Sequence, residues 1–347
     1  MSTTIGRDAT SKPSHDDEDT SGIARLRALI GVSPTLPATL GAAAALVLLV
    51  VFLSATTDTF LRSRNLSNIA IAASVFIILG VGQALVMNTA GIDVSIGSTV
   101  ALSASFIGSV IVGSGRSVGL GIGTALLVGI VAGAFNGLVI VYLKIPPIIA
   151  TLGTLTAYRG LTFVRMGSTV YRPFPDELIW FGRGRVAGIP VPVLIAGLTA
   201  LWGAWFIRNT RMGRGMTALG GNERAARVSG VAIDRYRVMV YTIMGLLAAV
   251  AAVVHTGRLD AVTATTAQMW ELHTIALVVI GGTALFGGQV TIAGVVIGGL
   301  ILGVLENGLM LLGLSAFWQR VFLGFVVIVA VGVRTYKNLS PMGLERT

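Results

Sequence analysis

The sequence predicts an all-α polytopic membrane protein of about ten transmembrane helices, built as two inverted-topology halves with a short cytoplasmic helix between spans. Three observations predict it. The 347-residue chain is 54% apolar and only 12% charged, and its mean hydropathy is +0.85, a composition that belongs to integral membrane proteins. Its apolar runs repeatedly reach the roughly 20 residues that cross about 30 Å of hydrocarbon. Its 45 glycines suit a tightly packed bundle, because small residues let helix backbones approach where lipid supplies no hydrophobic drive for association.

Residues 1–37 are polar and carry the acidic run Asp16, Asp17, Glu18 and Asp19, which predicts a disordered cytoplasmic tail. The first apolar run starts near Thr39, too far from the N-terminus for a cleaved secretory signal, so it is expected to be an uncleaved first span. The membrane region is expected over residues 38–336. Within it the predicted spans are 38–55, 68–90, 96–113, 119–142, 146–165, 190–207, 237–258, 270–286, 291–313 and 317–334, followed by a cytoplasmic C-terminal tail at 337–347.

Orientation comes from Arg208–Arg237, a loop with seven arginines against Glu223 and Asp234. Short loops rich in Lys and Arg stay on the cytoplasmic side. Ten spans then place both termini, Lys144 and Arg334 inside as well. Arg165, Arg172, Arg183 and Arg185 fall outside, in a Pro- and Gly-containing segment with an interfacial Trp180. Inside the arginine loop, 208–237, Asn222 to Gly230 reads as a short helix that a mere tether would not need, which predicts a docking point for a cytoplasmic partner.

An internal repeat supports the count. Asn136–Gly153 and Asn307–Gly324 share six identities in eighteen positions at an offset of 171. Five spans separate the two copies, so the repeat is inverted, the construction in which two halves rock about a central pathway.

Polar side chains inside apolar spans are costly and usually face a pathway or a partner. Asp93, in a glycine-flanked stretch from Thr89 to Ser98, sits where a helix break is permitted. Asp93 or Ser95 can cap the next helix start and shape the bend, or contact a solute; both readings stand. Gln83, Asn88 and Asn136 are candidates for lining the same route, with interhelical hydrogen bonding as the commoner use of such groups. Arg159 either snorkels to the outer interface or pairs with an acid. His273, two residues after Glu271, reads as a satisfied interface histidine rather than a ligand, and Glu306 lies toward the outer part of the ninth span.

Several functions are excluded or disfavoured. With Cys 0, disulfides, thiolate metal sites and cysteine catalysis are impossible, and three histidines make a histidine metal cluster improbable. The net charge of +10 lies mostly in short loops, where topology explains it, so no nucleic acid is expected as a partner. The lysines, Lys12, Lys144 and Lys337, are followed by Pro, Ile and Asn, so no phosphate-binding loop with Lys-Ser/Thr occurs. HExxH and GxSxG are also missing. An enzyme would need a catalytic constellation, and only isolated Asp93, Glu271, His273 and Glu306 stand out; an ion-coupled transporter would need clustered membrane acids or histidines.

Gly91–Ser98, Leu143–Leu161, Ala218–Val231 and Ala276–Gly288, followed by Asn307-Gly-Leu and Phe317-Trp-Gln, occur in an order that resembles the ribose-type sugar permeases of bacterial ABC importers, over about residues 60–334. The resemblance implies a multi-pass subunit of the bacterial cytoplasmic (inner) membrane that pairs with a second permease subunit. It also implies an extracytoplasmic solute-binding protein that delivers a sugar, and separate ATP-binding subunits that hold ATP and Mg, leaving no cofactor in this chain. It further implies that Asn222–Gly230 is the coupling helix that inserts into the ATPase. Glu223, Ala225, Ala226 and Gly230 resemble the importer pattern of an acid, two alanines and a glycine, with Arg224 intervening and Asn222 preceding. Branched-chain amino acids or a signal molecule are the alternative cargo. Two departures are His273, where many relatives carry an aspartate, and the long acidic N-terminal tail.

Overall fold

In a computed structural model the described residues are 36–315 and eight helical positions between 317 and 332. The expected tails at 1–37 and 337–347 lie almost wholly outside the described residues, as does most of the expected tenth span. Twelve α-helices are traced among the described residues. They are α1 (Leu36–Thr56), α2 (Ser63–Asn88), α3 (Ile96–Gly108, continued by a π-helical turn at Ser109–Gly113), α4 (Val118–Tyr142), α5 (Pro147–Met166) and α6 (Asp176–Arg183). A two-residue hairpin follows, β1 (Arg185–Val186) with β2 (Ile189–Pro190), and then α7 (Val191–Asn209), α8 (Arg211–Gly221), α9 (Glu223–Val228), α10 (Ile233–Leu259), α11 (Trp270–Ile280) and α12 (Ile292–Leu311). Seven membrane-length segments are both long and apolar enough to cross a membrane, among them α1, α2, α4, α10 and α12.

The centre is α2. Every residue from Ala73 to Asn88 is buried, as expected of a helix apolar all round. It is surrounded by α10, α12, α7 and α11. The closest pairing is α4 with α10. There Gly129 and Gly133 on α4 face Gly245 on α10, and a methyl group at Gly129 or Gly245 would overlap the other's carbonyl. Leucine at any of these positions would force the two backbones apart, which is the use of glycine the composition predicts.

Three expectations are corrected. The predicted span 270–286 is helical only to Ile280, because Gly282, Gly287 and Gly288 take φ values of 95°, 89° and 75°, a left-handed backbone that glycine adopts without strain and a helix cannot contain. At eleven residues, α11 rises about 16 Å, so it does not cross a bilayer alone. The arginine loop is shorter than 208–237, since α7 continues to Asn209 and α10 begins at Ile233, and it holds two helices rather than one. The segment expected to be an outer loop also carries order, namely α6, the hairpin and a bridge between Tyr171 and Val262.

Candidate functional site

The arm expected to be cytoplasmic, α8 and α9, is built by local capping. Thr210 precedes α8, and its hydroxyl accepts the Gly213 amide at 2.9 Å. Asn222 separates the two arm helices: its extended backbone, φ −158°, ends α8, and its side-chain oxygen accepts the Ala225 amide at 3.0 Å. That is the N-cap of α9, which satisfies an amide the helix start leaves unpaired. Gly230 ends the arm at φ +78°, with its amide on Arg227 and the Val231 amide returning to Ala226, a closure that favours glycine.

The arm has two faces. Ala226 is buried, whereas Arg224, Ala225 and Val228 are exposed, Val228 at 91%. Glu223 is held within the chain, since its carboxylate pairs with Arg237 at 2.7 Å and Arg227 at 3.2 Å. The hydrogen bond from Arg237 holds the Glu223 carboxyl below the usual glutamate range. In effect Glu223 staples α9 onto the start of α10. Behind the arm, Met216 and Leu219 of α8 are buried. Asn88, at the end of α2, donates to the Thr217 hydroxyl at 3.0 Å, and its carbonyl accepts the Gly288 amide. A methyl at Gly220 would overlap that carbonyl. Asn88 therefore links the arm to the bundle.

A buried polar layer lies where α2 breaks from α3. Asp93 is 2% exposed; one carboxylate oxygen accepts the Ser95 amide at 2.8 Å and the Ser95 hydroxyl at 2.7 Å. Asn136 of α4 donates to Ser95 Oγ at 2.8 Å, and Tyr158 of α5 donates to Asn136 Oδ1 at 3.3 Å and the Ala132 carbonyl at 2.9 Å. Thr151 of α5 accepts the Val94 amide at 3.2 Å. Asp93, Ser95 and Asn136 are thus brought together; Ser95 is the N-cap residue of α3 and makes no side-chain capping bond, and Asp93 holds Ser95 rather than an amide within the helix. Gln83 stands apart: it is fully buried on α2 and neither amide atom has a hydrogen-bond partner.

Sequence reasoning missed a second polar region. Arg159 of α5 neither snorkels nor forms a direct ion pair. It donates to the carbonyls of Ala264, Thr266 and Ala267 at 3.1, 2.8 and 3.4 Å. His273 pairs with Glu306 at 3.3 Å and approaches the Met269 carbonyl at 3.1 Å, so it is satisfied, as expected. Backbone carbonyls carry no sequence signal, so the role of Arg159 was invisible before the fold.

Long apolar helices, a glycine-packed core and a helix broken at a buried acid define a multi-pass α-helical membrane protein. A family model described as the permease component of the branched-chain amino acid transport system matches residues 65–331, and the chain belongs to that family. The ribose import permease protein of Escherichia coli (strain K12) is 40% identical over 298 residues, 85% of this chain and 92% of the relative. The ribose import permease protein of Bacillus subtilis (strain 168) is 40% identical over 296 residues, 84% and 91% of the two chains. The D-allose transport system permease protein of Escherichia coli (strain K12) is 35% identical over 288 residues, 83% and 88%. No solved structure matches.

Proposed function

We propose that this chain is the transmembrane permease subunit of a bacterial ABC importer, carrying a monosaccharide-type solute into the cell. The observation that carries the reading is the match, over most of both chains, to permeases named for ribose and allose import. The exposed, doubly capped helix α9 beside the basic loop supports a docking element for a separate ATP-binding subunit, with Asn222 and Gly230 setting its ends and Arg224, Ala225 and Val228 on its free face. Glu223 and Ala226 hold it to the bundle. ATP and Mg belong to that partner, and an extracytoplasmic binding protein delivers the solute.

In the same reading the chain has ten spans in two inverted halves, with both termini in the cytoplasm of a cell whose inner membrane it occupies, and it works as a dimer of permease subunits. The reading of two inverted halves rests on the sequence repeat at Asn136 and Asn307, and each of these asparagines is tied to another helix. Asn136 bonds Ser95 just before α3, and Asn307 exchanges two hydrogen bonds, 3.0 and 2.8 Å, with Asn65 near the start of α2. Movement of the arm reaches the bundle through Asn88 and Thr217. A ligand shifts such a two-state system only through unequal contacts in the two states.

The test is uptake of labelled D-ribose and D-allose by membrane vesicles containing this chain, its ATP-binding subunit and its binding protein. Uptake is expected to require ATP and all three components. Uptake by this chain alone, abolished by an ionophore, would overturn the reading in favour of ion coupling. Because the matched family model is described by branched-chain amino acids, L-leucine is the second cargo to assay.

A further inference from the structure

The five polar residues first considered for the pathway, Gln83, Asn88, Asp93, Ser95 and Asn136, are all at most 2% exposed. Partly exposed polar side chains, Thr263, Glu271 and His273 among them, occur along the segment between α10 and α11 and the start of α11. Asp260 ends α10 at φ 58°, Val262 pairs with Tyr171 through two backbone hydrogen bonds of 3.1 Å, and the chain then turns inward, with Ala264, Thr266 and Ala267 nearly buried. It starts α11 against Gly97, on the first turn of α3. A Cβ at Gly97 would lie 2.6 Å from Glu271 Oε2 and would overlap the Ala267 carbonyl. Two helix starts, each preceded by broken backbone, therefore meet inside the bundle.

Glu271 sits at that meeting point. Its carboxylate makes no ion pair or side-chain hydrogen bond with another residue among the described residues, although it is only partly exposed and within electrostatic reach of Arg159 and His273. A carboxylate left with open acceptor sites inside a membrane bundle is expensive unless water or a ligand reaches it. Beside it is the partly exposed indole of Trp270, whose ring centroid lies 4.6 Å from His255 and 5.0 Å from Phe76. Arg159, within electrostatic reach of Glu271, donates to three carbonyls of the preceding segment.

We propose that Glu271, with Trp270 beside it and Arg159 holding the segment that carries both, is a solute-contact site on the transport pathway, and that its ligand class is a neutral polyhydroxylated molecule. The proposal rests on the permease reading above. An ionised carboxylate accepts two neighbouring hydroxyl groups at once, and an aromatic ring covers the apolar C–H surface of a sugar. An anion is disfavoured by Glu271. A zwitterionic amino acid needs a guanidinium fork for its carboxylate, and Arg159 directs three of its five N–H donors to the backbone, which makes it a poorer fork than a free arginine. Asp93 is 2% exposed and one of its oxygens is held by Ser95, so Glu271 is the more open of the two carboxylates.

The test uses the full importer in vesicles, with labelled D-ribose, D-allose and L-leucine as probes, and compares wild type with Glu271→Gln, Glu271→Asp and Leu272→Ala. Leu272 is the exposed neighbour and serves as the control for disturbance of α11. Loss of a charge-assisted contact predicts uptake of the transported sugar about tenfold or more lower in Glu271→Gln, partial recovery in Glu271→Asp, an altered ribose-to-allose ratio in both, and uptake near wild type in Leu272→Ala. Uptake in Glu271→Gln within about twofold of wild type, at equal abundance in the membrane, overturns the proposal. If Glu271→Gln does not reach the membrane, Glu271→Asp carries the test, and an unchanged rate and ratio overturns it. Wild-type uptake of leucine and neither sugar overturns the ligand class. No ATP-dependent uptake of any probe by wild type would instead count against the permease reading itself.

Discussion

The arm of α8 and α9 and the buried layer at Asp93 both use a short polar side chain to accept a backbone amide beside a helix start, yet they use it differently. Asn222 serves Ala225, three residues on, at an exposed site. Asp93 serves Ser95, two residues on, in a site closed to water, and Ser95 is also held by Asn136 from another helix. In the arm, water replaces a lost cap. In the layer nothing does, so each group depends on all the others. The comparison teaches that the arm's caps are local and solvent-exposed, whereas the layer's groups depend on one another and keep α3, α4 and α5 in one register.

The largest expected effect breaks the layer. Asp93→Leu leaves the Ser95 amide and hydroxyl without their acceptor, at a cost of about 3 kcal/mol, and is expected to lower the unfolding temperature and the yield of the purified protein in detergent. A thermal midpoint equal to wild type would erase the distinction between the two regions. Asn136→Leu removes the donor to Ser95 and the acceptor for Tyr158, with an expected loss of about 2 kcal/mol by the same measurement. Combining it with Tyr158→Phe should cost less than the sum of the single changes, because the two share a hydrogen bond.

Asn222→Ala tests the arm. The cap is worth about 1 kcal/mol, so faster amide exchange is expected in α9, with little change in the bundle's melting. In the assembled importer it should lower transport per ATP hydrolysed. Melting as severe as that of Asp93→Leu would show that the arm is part of the core.

The smallest effect concerns pH. The Glu223 carboxyl is lowered in the folded protein by its hydrogen bond from Arg237, so the staple's contribution is complete above the ordinary glutamate value of 4.5 and is lost as pH falls through the lower folded value. The pair is 43% exposed at Glu223, and exposed pairs contribute about 0.2–1 kcal/mol. Spin labels on Arg224→Cys and Arg235→Cys should report an unchanged distance distribution from pH 8 to 6 and a broader one under acid. In Glu223→Gln the distribution should be broad throughout. Broadening that begins near neutral pH would assign the staple to another group.

Much of this molecule was legible before its fold, and the residues show why. The apolar runs at 38–55, 119–142 and 291–313 match α1, α4 and α12 within a few residues, because span length follows from bilayer thickness. The arm helix at Asn222–Gly230 was legible because its cap and terminator lie within it. The span at 270–286 was overextended: hydropathy does not register that Gly282, Gly287 and Gly288 turn the chain. The companion helix α8 was missed because its two buried hydrophobic side chains, Met216 and Leu219, lie among polar residues and glycines.

By itself the sequence determined the membrane class, most helix lengths, the basic loop and the capping of α9, since these depend on composition and on groups a few residues apart. The tertiary structure alone decided that Asn136 and Tyr158 join Ser95, that Asn88 serves the arm rather than the buried layer, and that Arg159 gathers three carbonyls more than 100 residues away. A buried polar group must find a partner somewhere, but a side chain's type does not encode which backbone will be brought to it. Only the packing of helices through contacts such as Gly129, Gly133 and Gly245 settles that choice.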